Sequence, residues 1–203
     1  MRILVACEES QAVTIELRRL GHEAYSCDVQ ECSGGHPEWH IKGDALELLK
    51  MKWDMVIAFP PCTYLTTAGA VRTFPQKVAD PARYAKGEDA ARFFMAFYNA
   101  DCPRIAIENP LPMTCFGLPK YNQIIHPYMF GDPWYKRTCI WTKGLPTLVS
   151  DVAPVEPKGH WVQCRARAKG FKAGHSDPKM RSKTFPAIAR AMAEQWAGRC
   201  DEE

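Results

Sequence analysis

The chain has 203 residues, 46% hydrophobic and 24% charged. That suffices for one α/β domain with a full core and is too little for two ordinary domains, so a single domain over residues 1–203 is expected. No apolar run approaches the roughly 20 residues of a membrane-spanning helix, and no membrane partner is expected. The start, Met1-Arg2-Ile3-Leu4-Val5-Ala6 followed by Glu8 and Glu9, lacks the shape of a signal peptide, so a cytoplasmic location is the default expectation. The cysteines number nine, an odd count, and are scattered. That pattern suits reduced thiols in a reducing compartment better than a disulfide framework.

In chain order, Arg2 to Ala6 reads as a buried strand. Ser10 to Leu20 reads as a helix capped by Ser10, with Val13, Leu17 and Leu20 on one side and Gly21 as the stop. Glu23 to Cys27 is a short strand closing on Asp28. Cys32 to Lys42 reads as a loop rich in Gly, His and Pro, and Asp44 to Met51 as helical. Asp54 to Phe59 is a third strand, ending at Pro60-Pro61. Thr63 to Lys86 reads as long and irregular. Glu88 to Ala100 carries Ala90, Phe93, Phe94 and Phe97 at helical spacing. Arg104 to Glu108 is a fourth strand, ending at Asn109-Pro110. Cys139 to Thr142 is a later strand. Thr184 to Trp196 is a closing helix with Ile188, Met192 and Trp196 on one side. There is no internal repeat and no low-complexity segment.

Strands alternating with helices predict a mostly parallel sheet covered on both faces. Chemistry in such sheets sits beyond the carboxyl ends of the strands. The unusual residues occur there: Cys7-Glu8-Glu9, Asp28, Pro60-Pro61-Cys62 and Glu108-Asn109-Pro110. Prolines rigidify the turn before Cys62, and a thiolate at the rim of a sheet is a nucleophile where positive charge stabilises it. The competing reading of Cys62 is a small buried hydrophobe. A carboxylate at the end of an apolar strand, such as Glu108, is poorly solvated and can hold a proton near neutral pH. Its competing reading is an acid that merely caps a turn.

Charge is unevenly spread. From Lys158 to Lys183 there are eight Lys or Arg and one acid, Asp177, for a net +7; the whole chain is +3, so the remainder is −4. The tract is either a solvated face or a phosphate-tracking surface. Trp161 and Phe171 within it favour nucleic acid. Arg165, Arg167 and Lys169 are the candidate contacts.

Lys42-Gly43-Asp44, then Asp54 through Pro60-Pro61-Cys62, then Ala68-Gly69, resemble the block that carries the nucleophile in DNA cytosine-5 methyltransferases. Ile105 through Glu108-Asn109-Pro110 resembles that family's Glu-Asn motif. Phe130-Gly131-Asp132-Pro133 with Lys136-Arg137 and Cys139-Ile140-Trp141 is similar to its later Gly-x-Pro and arginine-bearing segment. Arg181 to Ala197 is similar to its closing helix. Order and strand context match over nearly the whole chain apart from about 145–180. The pattern resembles compact methyltransferase-like proteins of phages and prophages, which implies the cytoplasm of a bacterial host.

The resemblance implies a Rossmann-like S-adenosylmethionine-dependent methyltransferase fold and methyl transfer to C5 of cytosine in DNA. Cys62 would add to C6 and Glu108 would hydrogen-bond or protonate N3. Lys136 or Arg137 would steady the base or a phosphate, the two remaining unresolved. A base in a duplex would have to be flipped out. For S-adenosylmethionine, the resemblance implies that Asp28 holds the ribose hydroxyls and Asp44 the adenine amino group, with Cys7, Glu8 and Pro60 lining the site. The chain departs from the family twice. The turn after the first strand, Ala6-Cys7-Glu8-Glu9-Ser10-Gln11, has no glycine, so its side chains would crowd the cofactor or the turn must follow another path. About forty residues lie between Trp141 and the closing helix, too few for a separate target-recognition domain. A reduced, basic recognition segment at about 145–183 is expected instead, with a protein partner for target recognition as one solution. RNA or a free cytosine nucleotide is the alternative substrate, and a non-catalytic binder of nucleic acid or cofactor the alternative class.

Cys27, Cys32, His36 and His40 invite a metal reading, but zinc cysteine pairs sit closer than these. A hydrogen-bonded polar loop, without metal, is expected.

Overall fold

The computed structural model describes residues 1–161, 177 and 181–200. Arg165, Arg167 and Lys169, the candidate nucleic-acid contacts, lie outside the described residues.

Nine strands are described: β1 (Arg2–Ala6), β2 (Glu23–Asp28), β3 (His40–Lys42), β4 (Met55–Ala58), β5 (Ile105–Pro110), β6 (Gln123–Ile125), β7 (Trp134–Tyr135), β8 (Thr138–Lys143) and β9 (Gly159–His160). The described helices are α1 (Ala12–Arg19), α2 (Ala45–Leu48), α3 (Ala70–Thr73), α4 (Pro81–Tyr98) and α5 (Pro186–Trp196). Seven strands form one sheet in the order β3-β2-β1-β4-β5-β8-β6, and β7 pairs with β9 in a small parallel ribbon. Pairs from β3 through β5 are all parallel, and β8 runs antiparallel to both β5 and β6. This is the expected Rossmann-like class.

The central strands are apolar because both faces are covered. Successive side chains point to opposite faces, so Ile3 and Val5 of β1 enter one core and Leu4 and Ala6 the other. The first core packs under α1 and α5 through Val13, Leu17, Ile188, Met192 and Trp196. The second packs under α4, where the fully buried rings of Phe94 and Trp141 meet edge to face, 4.9 Å between centroids.

Several elements differ from the sequence reading. His40-Ile41-Lys42 is not loop but the edge strand β3, paired in parallel with Ser26, Cys27 and Asp28. The segment Thr63 to Lys86 is not irregular throughout: α4 begins at Pro81, with Asp80 Oδ1 accepting from the Arg83 amide at 2.8 Å. Gly87 obscured that start, since glycine weakens a helix interior. The structure shows why it is there: a Cβ at Gly87 would lie 2.1 Å from Cζ of Phe116. Ser10 does not cap α1. Gln11 occupies the cap position with a left-handed φ of 57° and no side-chain capping bond. Glu8 supplies the missing acceptors: Oε1 accepts from the Val13 amide at 2.6 Å, and Oε2 accepts from the Thr14 amide and from Thr14 Oγ1 at 3.2 and 2.7 Å.

Candidate active site

The register of β4 and β5 pairs Ala58 with Ile107. Pro60 and Asn109, just beyond those residues, therefore meet at one rim of the sheet. Asn109, fully buried, donates through Nδ2 to the Pro60 carbonyl at 2.9 Å, which ties the two strand ends together. Its Oδ1 accepts nothing among the described residues. The chain then turns: the Cys62 carbonyl accepts from the amides of Leu65 and Thr66 at 3.1 and 3.2 Å. This turn holds Cys62, half-buried, at the rim.

Glu108 faces the same space. Lys136 Nζ lies 4.0 Å from Glu108 Oε1, and the two side chains are 12% and 16% exposed, so the pair is largely withdrawn from water. The Thr138 hydroxyl donates to the Lys136 carbonyl at 3.4 Å. Burial pushes the Glu108 carboxyl up, against the smaller opposing pulls of Lys136 and Thr138. Burial also pushes up the Cys62 thiol, and negative charge on Glu108 adds to that, whereas Lys136 and Arg181 pull it down. Cys62, Glu108, Lys136 and Arg181 thus form one electrostatic cluster. The sequence could not choose between Lys136 and Arg137. In the structure Lys136 is the cation at Glu108, and Arg137 lines a separate cavity with His126, Tyr135 and His160. Arg181 was legible as one more charge in the basic tract and as the first residue of the segment similar to the family's closing helix, not as a neighbour of Cys62.

The residues expected to hold a cofactor lie at the ends of β1 and β2. Cys7 takes a left-handed φ of 59° and Gln11 one of 57°. The glycine-free turn therefore adopts the backbone region that glycine occupies without strain, at about 1 kcal/mol or more per residue. The Gln11 side chain secures the turn: Nε2 donates to the His36 carbonyl at 2.8 Å and to Ser26 Oγ at 3.2 Å, and Oε1 accepts from the His36 amide at 3.1 Å. Gly34 packs against it so closely that a Cβ there would sit 2.6 Å from the Ser10 carbonyl oxygen. Glu8 is buried and both its oxygens are committed to the start of α1. Burial raises its carboxyl to about 7.

Asp28 and Asp44 both act on Cys7, whose thiol is pushed up by burial first, then by Asp28, Cys27 and Asp44. Asp28 Oδ1 accepts from the Gln30 amide and Asp44 Oδ1 from the Leu46 amide, each at 2.9 Å. Neither acid has an ion-pair partner among the described residues, the nearby Lys42 being paired with Glu31. Each keeps one carboxylate oxygen free to accept from hydroxyls or an amino group. Those acceptors fit the hydroxyls and amino group of the adenosine half of S-adenosylmethionine, and the local negative charge fits its cationic sulfur.

His36 and His40 are spent within the loop after β2. His36 stacks on Trp39 at 3.9 Å, and His40 bonds Ser26 Oγ and the Gln30 carbonyl at 2.9 Å each. Among the described residues, no three His, Cys, Asp or Glu gather as a metal-ligand set. None of the described helices is long and apolar enough to cross a membrane.

No protein-family model matches the chain, and no curated protein matches it. Among solved structures it is similar to a protein described as a candidate DNA modification methyltransferase of an E. coli prophage, at 12% identity and a TM-score of 0.46, covering 88% of this chain and 62% of that one. It is also similar to a mutant of Spodoptera frugiperda DNMT2, at 14% identity and a TM-score of 0.42, covering 86% of this chain and 57% of that one. The chain thus spans less than two thirds of either neighbour. Likeness this distant carries no argument about chemistry, which rests on the geometry of the site.

Proposed function

We propose that the protein transfers a methyl group from S-adenosylmethionine to C5 of cytosine in DNA through a covalent adduct with Cys62. The observation that carries this reading is the convergence of Cys62, Glu108 and Lys136 at the ends of two neighbouring parallel strands. A thiol, a carboxyl biased toward its protonated form and a shielded cation suit nucleophilic addition to a pyrimidine ring.

The Cys62 thiol gives up its proton to solvent and the sulfur adds to C6, shifting the electron pair of the C5–C6 double bond toward C5. Lys136 and Arg181 favour the thiolate that this requires. Glu108 donates its proton toward N3, so that negative charge does not accumulate on the ring. S-adenosylmethionine, when bound, supplies the methyl group that C5 takes. Loss of the C5 proton to solvent then restores the double bond and expels the Cys62 thiolate, and the N3 proton returns to Glu108. Asp28 and Asp44 would hold the cofactor's adenosine through their free oxygens. Asn109 is a positioning residue, since it fixes the Pro60 carbonyl two residues before the nucleophile. The chain from Lys158 to Lys183 would track phosphates. Organisation as one domain, with that tract as a reduced recognition segment, belongs to the same proposal.

The test is transfer of labelled methyl from S-adenosylmethionine to duplex DNA, single strands, RNA and dCMP in parallel. DNA should be labelled by the wild type and not by Cys62→Ala, and 5-fluorocytosine DNA should trap a covalent complex through Cys62. Near-normal turnover by the alanine variant would overturn the mechanism, and labelling confined to RNA or dCMP would overturn the substrate.

A further inference from the structure

Lys136 and Arg137 are adjacent in the short link between β7 and β8, yet they serve different spaces. Lys136 turns to Glu108. Arg137 lines a cavity of about 380 Å³ with His126, Tyr135 and His160. That is at the lower end of the ~300–1,000 Å³ typical of small-molecule sites, which suits a small ligand.

The walls are mostly π-systems. Tyr135 and His160 stack with 5.4 Å between centroids and 29° between planes. His126 stands edge-on to Tyr135, 87° between planes at 5.7 Å, and Tyr128 packs behind both. Aromatic side chains lining a cavity suit a planar heterocycle without selecting its identity. Two polar features accompany them. Arg137 is exposed, and no acid among the described residues pairs with it. Its planar fork is suited to two oxygens of a phosphate. The Nδ1 atom of His126 is buried and has no hydrogen-bond partner among the described residues. A buried polar atom left unpaired is costly, and a ligand group that reaches it recovers that cost.

We propose that the Arg137 cavity is a second ligand site, one that binds a nucleoside phosphate, with the phosphate on Arg137 and the base against the Tyr135–His160 wall. It goes beyond the proposed methyl transfer and does not rest on it, because nothing in the cavity requires Cys62 or a cofactor. The nucleoside phosphate is either a free nucleotide or one unit of a nucleic-acid chain.

The test is binding of dTMP, which is neither the proposed target base nor the cofactor's adenine, measured by calorimetry with the full chain. A short oligothymidylate is measured beside it. Inorganic phosphate and thymidine serve as half-ligands. Wild type should bind dTMP at least about tenfold more tightly than either half-ligand, and Arg137→Gln should weaken dTMP by about tenfold or more. In wild-type protein the imidazole resonances of His126 and His160 should shift on adding dTMP, which keeps the test free of any folding defect in the variant. Oligothymidylate bound more tightly than dTMP, with the same dependence on Arg137, identifies a nucleic-acid chain as the source; equal affinity identifies the free nucleotide. Phosphate binding as tightly as dTMP, unchanged affinity in Arg137→Gln, or unmoved imidazole resonances would each overturn the proposal. None of these readouts involves methyl transfer, so a dead Cys62 chemistry and an absent second site give different results.

Discussion

Lys136 Nζ and Glu108 Oε1 lie 4.0 Å apart behind side chains that are both largely buried. The cation lowers both the Cys62 thiol and the Glu108 carboxyl from where burial alone would put them. Removing it has a definite sign. Lys136→Met should move Cys62 alkylation, followed peptide by peptide in mass spectrometry, to higher pH. Methyl transfer should fall by roughly 10- to 100-fold, the scale of losing one charge-assisted contact. An alkylation profile identical to wild type would show that the two groups do not communicate.

Asp28 and Asp44 each retain one oxygen without a partner among the described residues. Asp28→Ala and Asp44→Ala are each expected to weaken S-adenosylmethionine binding by about 1–3 kcal/mol, the cost of leaving hydroxyl or amino donors unpaired. Calorimetric titration checks this. Unchanged affinity in both variants would remove the acids from the cofactor site.

Glu8 makes stability depend on pH in an uncommon direction. Its carboxyl rises from an ordinary 4.5 to about 7 on folding. Between those values the folded chain holds a proton that the unfolded chain has lost, so stability falls as pH rises through that window. The full effect is about 3 kcal/mol. Urea denaturation across the window should show this decline in wild type and a flatter profile in Glu8→Gln. A wild type that gains stability over the same range would contradict it.

The tract from Lys158 to Lys183 should respond to salt. If it tracks phosphates, neutralising Arg165, Arg167 and Lys169 should flatten the logarithmic salt dependence of duplex binding by about one unit per lost contact, for all sequences alike. Parallel slopes for wild type and the triple alanine variant would mark it as a solvated surface.

The fold was legible where burial dictates composition. β1, β4 and β5 are covered on both faces, so their apolar runs stand out in the sequence. β3 was missed because an edge strand of three residues, His40-Ile41-Lys42, needs only one apolar side chain. The start of α4 was hidden by Gly87, whose reason is Phe116, 29 residues away. The cap of α1 was misread because Ser10 is the local candidate, whereas the actual acceptor, Glu8, reaches it only after the turn bends through Cys7 and Gln11. In the site, Cys62 and Glu108 could be placed together from their strand ends alone. The division of labour between Lys136 and Arg137 could not, since it depends on which way successive side chains leave the link between β7 and β8.

The strand order bears on how the chain assembles. β6 has one neighbour in the sheet, β8, which follows it in sequence and lies between it and β5. When residues 123–125 emerge they have no ladder to join, and β5 has an open edge of its own. Residues 138–143 pair with both, so β8 is a keystone whose docking joins β6 to the rest of the sheet. The loop entropy of that step falls before its hydrogen bonds repay it. Substitutions in β8, such as Ile140→Ala, should therefore slow folding if that docking limits the rate, and quicken unfolding alone if it comes after the barrier.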